Sequence, residues 1–202
     1  MEGLNPLIVL RHLSDKKILK EFYQGVFFPD AGPLPVLLVD SWSAHANTVL
    51  VEAVKPAGVE IEIFTIPPGT TSIAQHWDVY GFRSYKQMVR YFSDRVLIDN
   101  LPVILHQRNE IIKLQSLIYN QLCSPRFKEQ WKLGWFKSRY LDQHPDQFTN
   151  ALQFCFQNKA AELTEKCCKC ERLHFITCAW CNETFCFTHY YTEYRYCTEF
   201  NE

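Results

Sequence analysis

The chain has 202 residues, of which 21 are Lys or Arg and 22 are Asp or Glu, so its formal net charge is −1. This balance excludes a histone-like polycation that holds nucleic acid by bulk charge. Hydrophobic residues make up 47% of the sequence and aromatic residues 15%, which favours a packed core over intrinsic disorder. No apolar run approaches the roughly 18 residues of a membrane helix, so we expect a soluble intracellular protein.

The first part of the chain alternates between helical and strand patterns. Residues 15–28 predict a helix. Residues 35–40 are an apolar run that ends in the carboxylate of Asp40 and is typical of a strand buried on both faces. Residues 44–55 return to a helical pattern, and residues 59–64 predict a second strand. A strand, a helix and a strand at this spacing predict a parallel strand pair and an α/β fold.

The remainder of the chain is first helical and then cysteine-rich. Helices are predicted at residues 78–95, 103–122, 126–141 and 147–165. We therefore expect three domains: a partial α/β domain at residues 1–100, a helical region at 101–165 and a small cysteine-rich module at 166–202.

Two aspartates follow the predicted strands. Asp40 ends the first strand, and Asp78 follows the second strand and a Pro-Pro-Gly-Thr-Thr loop. Carboxylates at the ends of adjacent parallel strands suit Mg²⁺ or Mn²⁺, because these hard cations prefer oxygen ligands. The alternative is that both aspartates cap helices, since each precedes a predicted helix start.

Two phrases around these aspartates resemble the DDE superfamily endonuclease domain of Tc1/mariner and pogo-like transposases. They are LLVDSWSAHAN at residues 37–47 and FTIPPGTTSIAQHWDVYGFRSYKQMVR at residues 64–90. The resemblance implies a partial RNase H-like fold in which Asp40 and Asp78 are the second and third catalytic acids. It also implies a divalent ion, Mg²⁺ or Mn²⁺, that serves metal-dependent DNA strand cleavage and transfer.

Polar and basic residues near the acids are candidate nucleic-acid contacts: His45, Gln75, Arg83, Lys86 and Arg90. The resemblance matches His45 to the histidine after the second acid and Lys86 to a lysine of the following helix. Residues 125–139 form a second basic stretch in which cations alternate with aromatic residues. Such a stretch suits a phosphate-tracking surface, and the alternative is that its aromatic residues face the core.

The chain departs from the transposase pattern at two points. The family's QPLD phrase reads QHWD in this chain, ending at Asp78. The family's first acid lies on a strand well upstream of the second, whereas Asp15 opens a predicted helix and Asp30 lies in a turn. The first acid is thus not found in this chain, and we expect nucleic-acid binding with an incomplete catalytic site.

Seven of the nine cysteines lie between Cys167 and Cys197. The candidate zinc ligands of this segment, in chain order, are Cys167, Cys170, Cys178, Cys181, Cys186, His189 and Cys197. Pairs with two residues between the ligands fit the turn that brings both side chains to one zinc ion. The alternative is a disulfide knot, which is typical of short secreted chains.

The segment at residues 166–197 also resembles an AN1-type zinc finger. The resemblance implies that one Zn²⁺ is bound by Cys167, Cys170, Cys186 and His189. It implies a second site at Cys178, Cys181 and Cys197. Arg195 stands at the eighth ligand position and cannot ligate, so His174 or Cys168 would complete the second site, or that site would be empty. A zinc closed by four protein ligands is structural and supplies most of the folding free energy of a small segment.

Two functions from different classes remain open. The first is a transposon-derived, DDE endonuclease-like protein that binds DNA in the nucleus. The alternative is an AN1-like adaptor whose zinc module binds a protein partner and which has no nuclease activity. Neither function involves a membrane, and the sequence does not indicate an oligomeric state.

Overall fold

The computed structural model describes residues 16–39, 41, 48–70, 81–156, 165–195 and 197–200. The chain divides into two compact units, residues 1–75 and residues 76–202. Within the described ranges, no helix is long and apolar enough to span a membrane.

The first unit contains a parallel strand pair and two short helices. The elements are α1 (Lys16–Phe22), β1 (Val36–Val39), α2 (Thr48–Val54) and β2 (Glu62–Thr65). Strand β1 pairs with β2 in parallel, with Val36 opposite Glu62 and Val39 opposite Thr65, so the predicted parallel pair is confirmed. The helix predicted at residues 15–28 was too long, because the chain tightens after Phe22 into the π-helical turn Tyr23–Phe27 and the 3₁₀ turn Phe28–Asp30.

A small apolar cluster holds the first unit together. Its buried members come from the first helical segment and from α2: Leu19, Tyr23, Phe28, Val51 and Val54. The Tyr23 ring lies 6.1 Å from the rings of both Phe27 and Phe28, so the π-helical turn folds its aromatic side chains onto the same core.

In the described residues of the second unit, four α-helices are followed by a short hairpin. The elements are α3 (Phe82–Ile98), α4 (Arg108–Leu122), α5 (Lys128–Lys137), α6 (Ala151–Phe156), β3 (Ile176–Thr177) and β4 (Thr184–Phe185). Strands β3 and β4 are antiparallel, and the π-helical turn Thr188–Thr192 follows them.

Three predicted helix bounds in the second unit differ from the structure by four residues or more. Helix α4 begins at Arg108 and not at residue 103, because residues 101–107 form turns in which the Gln107 N–H donates to the carbonyl of Ile104 at 3.0 Å. Helix α5 ends at Lys137 because Arg139 adopts a left-handed conformation with φ 64°, and Tyr140 N–H closes back on Trp135. Helix α6 begins at Ala151 and not at residue 147, because Asn150 Oδ1 accepts from Gln153 N–H at 2.9 Å and caps the helix there. The predicted end of this helix falls beyond Phe156, where residues 157–164 lie outside the described ranges.

One hydrophobic core joins the helices of the second unit to its cysteine-rich segment. Met88, Phe92 and Ile118 contribute from the helices, and Phe185 and Tyr190 contribute from the cysteine-rich segment. All five side chains are buried. The core therefore continues across residue 166, where the sequence suggests a domain boundary, and the segment packs as part of the helical unit.

Candidate metal centre

Four side chains of the cysteine-rich segment converge on one point. They are Cys167, Cys170, Cys186 and His189, called here the four-ligand group, and their ligand atoms lie within 4.8 Å of one another. His189 Nδ1 is 3.2 Å from Cys167 Sγ and 3.3 Å from Cys186 Sγ, and the sulfurs of Cys170 and Cys186 are 3.8 Å apart. Two sulfurs bound to one tetrahedral zinc at about 2.3 Å lie about 3.8 Å apart, so this group could hold a zinc ion.

Local backbone geometry brings these ligands together. Cys167 and Cys170 flank a turn in which Cys170 N–H donates to the Cys167 carbonyl at 3.2 Å. Cys186 directly follows β4, and His189 lies in the π-helical turn, where Tyr190 N–H donates to the Cys186 carbonyl at 3.1 Å. Two turns and the end of a strand therefore supply all four ligands without a large movement of the chain.

The surroundings of Cys167 favour its thiolate form, whereas burial raises the pKa of Cys186. Burial raises the pKa of Cys167, but hydrogen bonds from the backbone of Cys186 and Lys169 and from His189 outweigh burial and lower the pKa to about 6. The thiolate is the form that binds zinc. His189 Nε2 lies 3.4 Å from Glu193 Oε1, and this contact orients the ring so that Nδ1 faces the sulfurs. Carboxylates hold the far nitrogen of zinc-binding histidines in the same way.

A second set of three cysteines lies in the same segment. Cys178, Cys181 and Cys197, called here the three-cysteine group, have sulfurs within 4.8 Å of one another. Cys178 and Cys181 lie in the turn between β3 and β4, which Asn182 closes with φ 63° and an N–H bond of 3.0 Å to the Cys178 carbonyl. Among the described residues, no further Cys, His, Asp or Glu joins this group as a ligand.

The two candidates for a fourth ligand of the three-cysteine group lie elsewhere. His174 is buried with Nε2 3.2 Å from Thr177 Oγ1, and Cys168 is exposed, with its backbone N–H donated to the Thr184 carbonyl. Arg195 instead contacts the group, with Nη2 3.1 Å from Cys181 Sγ. Burial raises the pKa of Cys181 to about 12, which disfavours its thiolate form.

Helix α4 holds the turn that carries Cys178 and Cys181. The buried Gln121 side chain accepts a hydrogen bond from Ala179 N–H at 2.6 Å, and Ser124 Oγ donates to the Ala179 carbonyl at 2.9 Å. Trp180 Nε1 donates to the Asn120 carbonyl at 2.7 Å. Gln121 was not predicted from the sequence. The feature that could have identified it is a polar residue three positions after Ile118, on the apolar face of a predicted helix.

The predicted acidic site is outside the part of the chain that the structure describes, since Asp40, His45, Gln75 and Asp78 all fall in its gaps. Strand β1 ends at Val39, one residue before Asp40. The roles given to these four residues therefore remain predictions.

The predicted basic residues of α3 are described and share one face of that helix. Arg83, Lys86 and Arg90 are exposed and follow one another at spacings of three and four residues. Met88 and Phe92, on the opposite side of α3, are fully buried in the core. The three cations, called here the basic face of α3, are therefore available to a phosphate backbone.

Part of the second basic stretch, residues 125–139, packs against the rest of the second unit. Phe127 is fully buried, and Trp131 Nε1 donates to the Leu122 carbonyl at 3.0 Å. Arg126 lies 4.3 Å from the Phe154 ring centroid and donates to the Ala179 carbonyl. These contacts favour the core role for Phe127 and Trp131, which leaves fewer groups of this stretch for nucleic acid.

Comparison with known proteins gives one family match. A family model for the Tc5 transposase C-terminal domain matches residues 135–197, which are 63 of the 202 residues and include both cysteine groups. No curated protein and no solved structure matches the chain. The family match supports a transposase-related domain in this part of the chain, in agreement with the transposase origin predicted from the sequence.

Proposed function

We propose that this chain is a transposon-derived protein that binds DNA in the nucleus through its second unit. The observation that carries the proposal is the transposase C-terminal family match over the stretch that contains the four-ligand group. A zinc ion held by Cys167, Cys170, Cys186 and His189 would be structural, because four protein ligands leave no open position for water. Its role would be to fix the fold that presents the DNA-binding surface.

The basic face of α3 is the contact surface that we assign to DNA. Arg83, Lys86 and Arg90 present three cations, and the only acid of α3 is Asp94, one turn further along. Because the whole chain is near neutral, binding must depend on local clusters of this kind and not on net charge. We assign phosphate contacts, and not base recognition, to these residues.

A triple variant tests this surface. Replacing Arg83, Lys86 and Arg90 by Ala should reduce the slope of log affinity against log salt by roughly 2.7, since each phosphate contact to duplex DNA contributes about 0.9. Fluorescence anisotropy of a labelled duplex over a salt series measures the slope. The charge-matched control Lys20→Ala/Lys55→Ala/Arg108→Ala should keep the wild-type slope.

Two outcomes would contradict the assignment. Equal slopes for wild type and the α3 variant would place the DNA contacts on another surface. An absence of DNA binding by folded, zinc-loaded protein would favour the second function, an adaptor whose zinc module binds a protein partner.

An ancestral DDE nuclease with an RNase H-like fold is the origin that we propose for residues 1–100, the stretch that contains Asp40 and Asp78. The supporting observation is that β1 and β2 are parallel and that Asp40 directly follows β1, at the strand end where ligands bind in α/β sheets. In this proposal Asp40 and Asp78 would hold Mg²⁺ or Mn²⁺. The resemblance assigns only two of the three acids to this chain, so we propose binding without cleavage.

A plasmid assay tests the absence of cleavage. Zinc-loaded full-length protein should leave supercoiled plasmid intact in Mn²⁺, as should the control variants Asp40→Ala and Asp78→Ala. Gel electrophoresis of the plasmid separates nicked from supercoiled DNA. Nicking by wild type that is lost in both variants would show that this chain is a working nuclease.

A further inference from the structure

The guanidinium of Arg195 contacts two of the three sulfurs in the three-cysteine group. Its Nη2 lies 3.1 Å from Cys181 Sγ and 3.8 Å from Cys197 Sγ. A guanidinium has five N–H donors and no lone pair to offer, so it approaches sulfur as a cation and a hydrogen-bond donor and cannot ligate a metal. The group thus already has a positively charged occupant beside its sulfurs.

Arg195 is fixed in this place by contacts on several sides. Its guanidinium carbon lies 3.7 Å from the centroid of the buried Phe185 ring, and Nη1 lies 3.4 Å from Glu183 Oε2. The side chain is only 13% exposed, and its backbone N–H donates to the Tyr190 carbonyl at 3.0 Å. Sulfur, carboxylate and an aromatic face contact this largely buried cation, and only the buried Nε of its guanidinium lacks a hydrogen-bond partner among the described residues.

The two cysteine groups therefore differ in what completes them. The four-ligand group contains a fourth lone-pair donor, His189, at tetrahedral spacing. The three-cysteine group has three sulfurs, and the structure describes no fourth Cys, His, Asp or Glu ligand for it. Zinc in a structural site takes four ligands, and a dication here would share the sulfurs with a fixed cation.

We propose that the guanidinium of Arg195 takes the place of a metal ion in the three-cysteine group. The chain then binds one zinc ion, at the four-ligand group, and the three-cysteine group is held by Arg195 without a metal. This inference concerns the metal content of the segment and does not depend on DNA binding.

Zinc content of the full-length protein tests the proposal. Each protein is equilibrated with excess Zn²⁺, dialysed against metal-free buffer and measured by inductively coupled plasma mass spectrometry. Wild type should hold about one zinc per chain. Arg195→His and Arg195→Cys supply a lone-pair donor, and at least one of them should hold about two. Arg195→Lys keeps the cation without the guanidinium and should stay at about one.

Two serine variants locate the ion. Cys181→Ser should keep about one zinc, whereas Cys186→Ser should lose it. Two zinc ions in wild type would overturn the proposal, as would a single ion that is lost in Cys181→Ser and kept in Cys186→Ser. A count that stays at one in both Arg195→His and Arg195→Cys would also overturn it. Circular dichroism shows whether each variant folds. If a variant does not fold, the number of zinc ions bound by wild type tests the proposal by itself.

Discussion

Replacing Cys186 by Ser is expected to unfold the helices of the second unit together with the cysteine-rich segment. The zinc that Cys186 would bind is worth about 10–16 kcal/mol in small zinc-dependent folds, which equals or exceeds the roughly 5–15 kcal/mol by which ordinary domains are stable. Loss of one thiolate removes most of this contribution. The unfolding should extend from the cysteine-rich segment to the helices, because the segment shares its hydrophobic core with them.

The shared core determines how far the unfolding spreads. Phe185 and Tyr190 are fully buried in the same cluster as Met88 and Ile118 of α3 and α4. When the segment unfolds, these helices lose the apolar surface that covers them, and burial of a large side chain is worth about 1.5–3 kcal/mol. A segment that folded by itself would unfold alone, and the sequence pattern does not show which helices the segment contacts.

Hydrogen exchange read by mass spectrometry measures this spread. Peptides from α3 and α4 should lose protection in Cys186→Ser, while peptides from residues 16–39 in the first unit should keep theirs. Cys168→Ser is the matched control, since Cys168 is an exposed cysteine of the same segment that belongs to neither cysteine group. Protected α3 and α4 peptides in a zinc-free Cys186→Ser protein would contradict the expectation.

Local sequence patterns predicted the strand pair and the closeness of the cysteines within each turn. The run at residues 35–39 is apolar enough to identify β1. Only two residues separate Cys167 from Cys170 and Cys178 from Cys181, so each pair lies within one turn. These features depend on neighbours in the sequence. They can therefore be predicted before any tertiary contact is known.

The contacts that join the helices to the metal segment could not be predicted in this way. Gln121 binds Ala179, which is 58 positions away, and nothing in either local pattern selects that partner. Arg195 was recognised as a residue that cannot ligate, yet its place beside Cys181 depends on Phe185 and on the fold of the hairpin. Tertiary packing decides such contacts.

Replacing Phe92 by Ala is expected to weaken zinc binding, although Phe92 touches no ligand. Phe92 is fully buried in α3, and its ring lies 5.0 Å from Phe175, 5.8 Å from Tyr191 and 6.0 Å from Tyr190. These three rings belong to the cysteine-rich segment. Phe92 therefore connects the helices to the metal centre.

The expected loss of zinc affinity follows from the free energy that is lost when the smaller side chain leaves a cavity in the core. Phe→Ala in a core typically lowers the free energy of unfolding by about 3–5 kcal/mol. Because the zinc-free unit is expected to be unfolded, that loss appears in full in the apparent zinc affinity, and each 1.4 kcal/mol is about tenfold. We therefore expect Phe92→Ala to bind zinc roughly 10²- to 10⁴-fold more weakly, as measured by competition with a chromophoric chelator.

Two control variants separate this coupling from a general loss of stability. Phe28→Ala makes the same chemical change in the core of the first unit, where Phe28 is buried, and should leave zinc affinity unchanged. Leu97→Ala removes a side chain of α3 that is 77% exposed and should change stability by less than about 0.5 kcal/mol. If Phe92→Ala weakens zinc binding and neither control does, the coupling depends on the core that the helices share with the cysteine-rich segment.

The Phe92 and Cys186 variants test the same physical claim from opposite directions. If the helices and the segment fold as one unit, damage to the helical core must weaken zinc binding, and loss of zinc must unfold the helices, because the two processes share one free energy. If Phe92→Ala lowered stability without changing zinc affinity, the segment would fold by itself. Cys186→Ser would then unfold only the tail, and the surface presented by α3 would not depend on the metal.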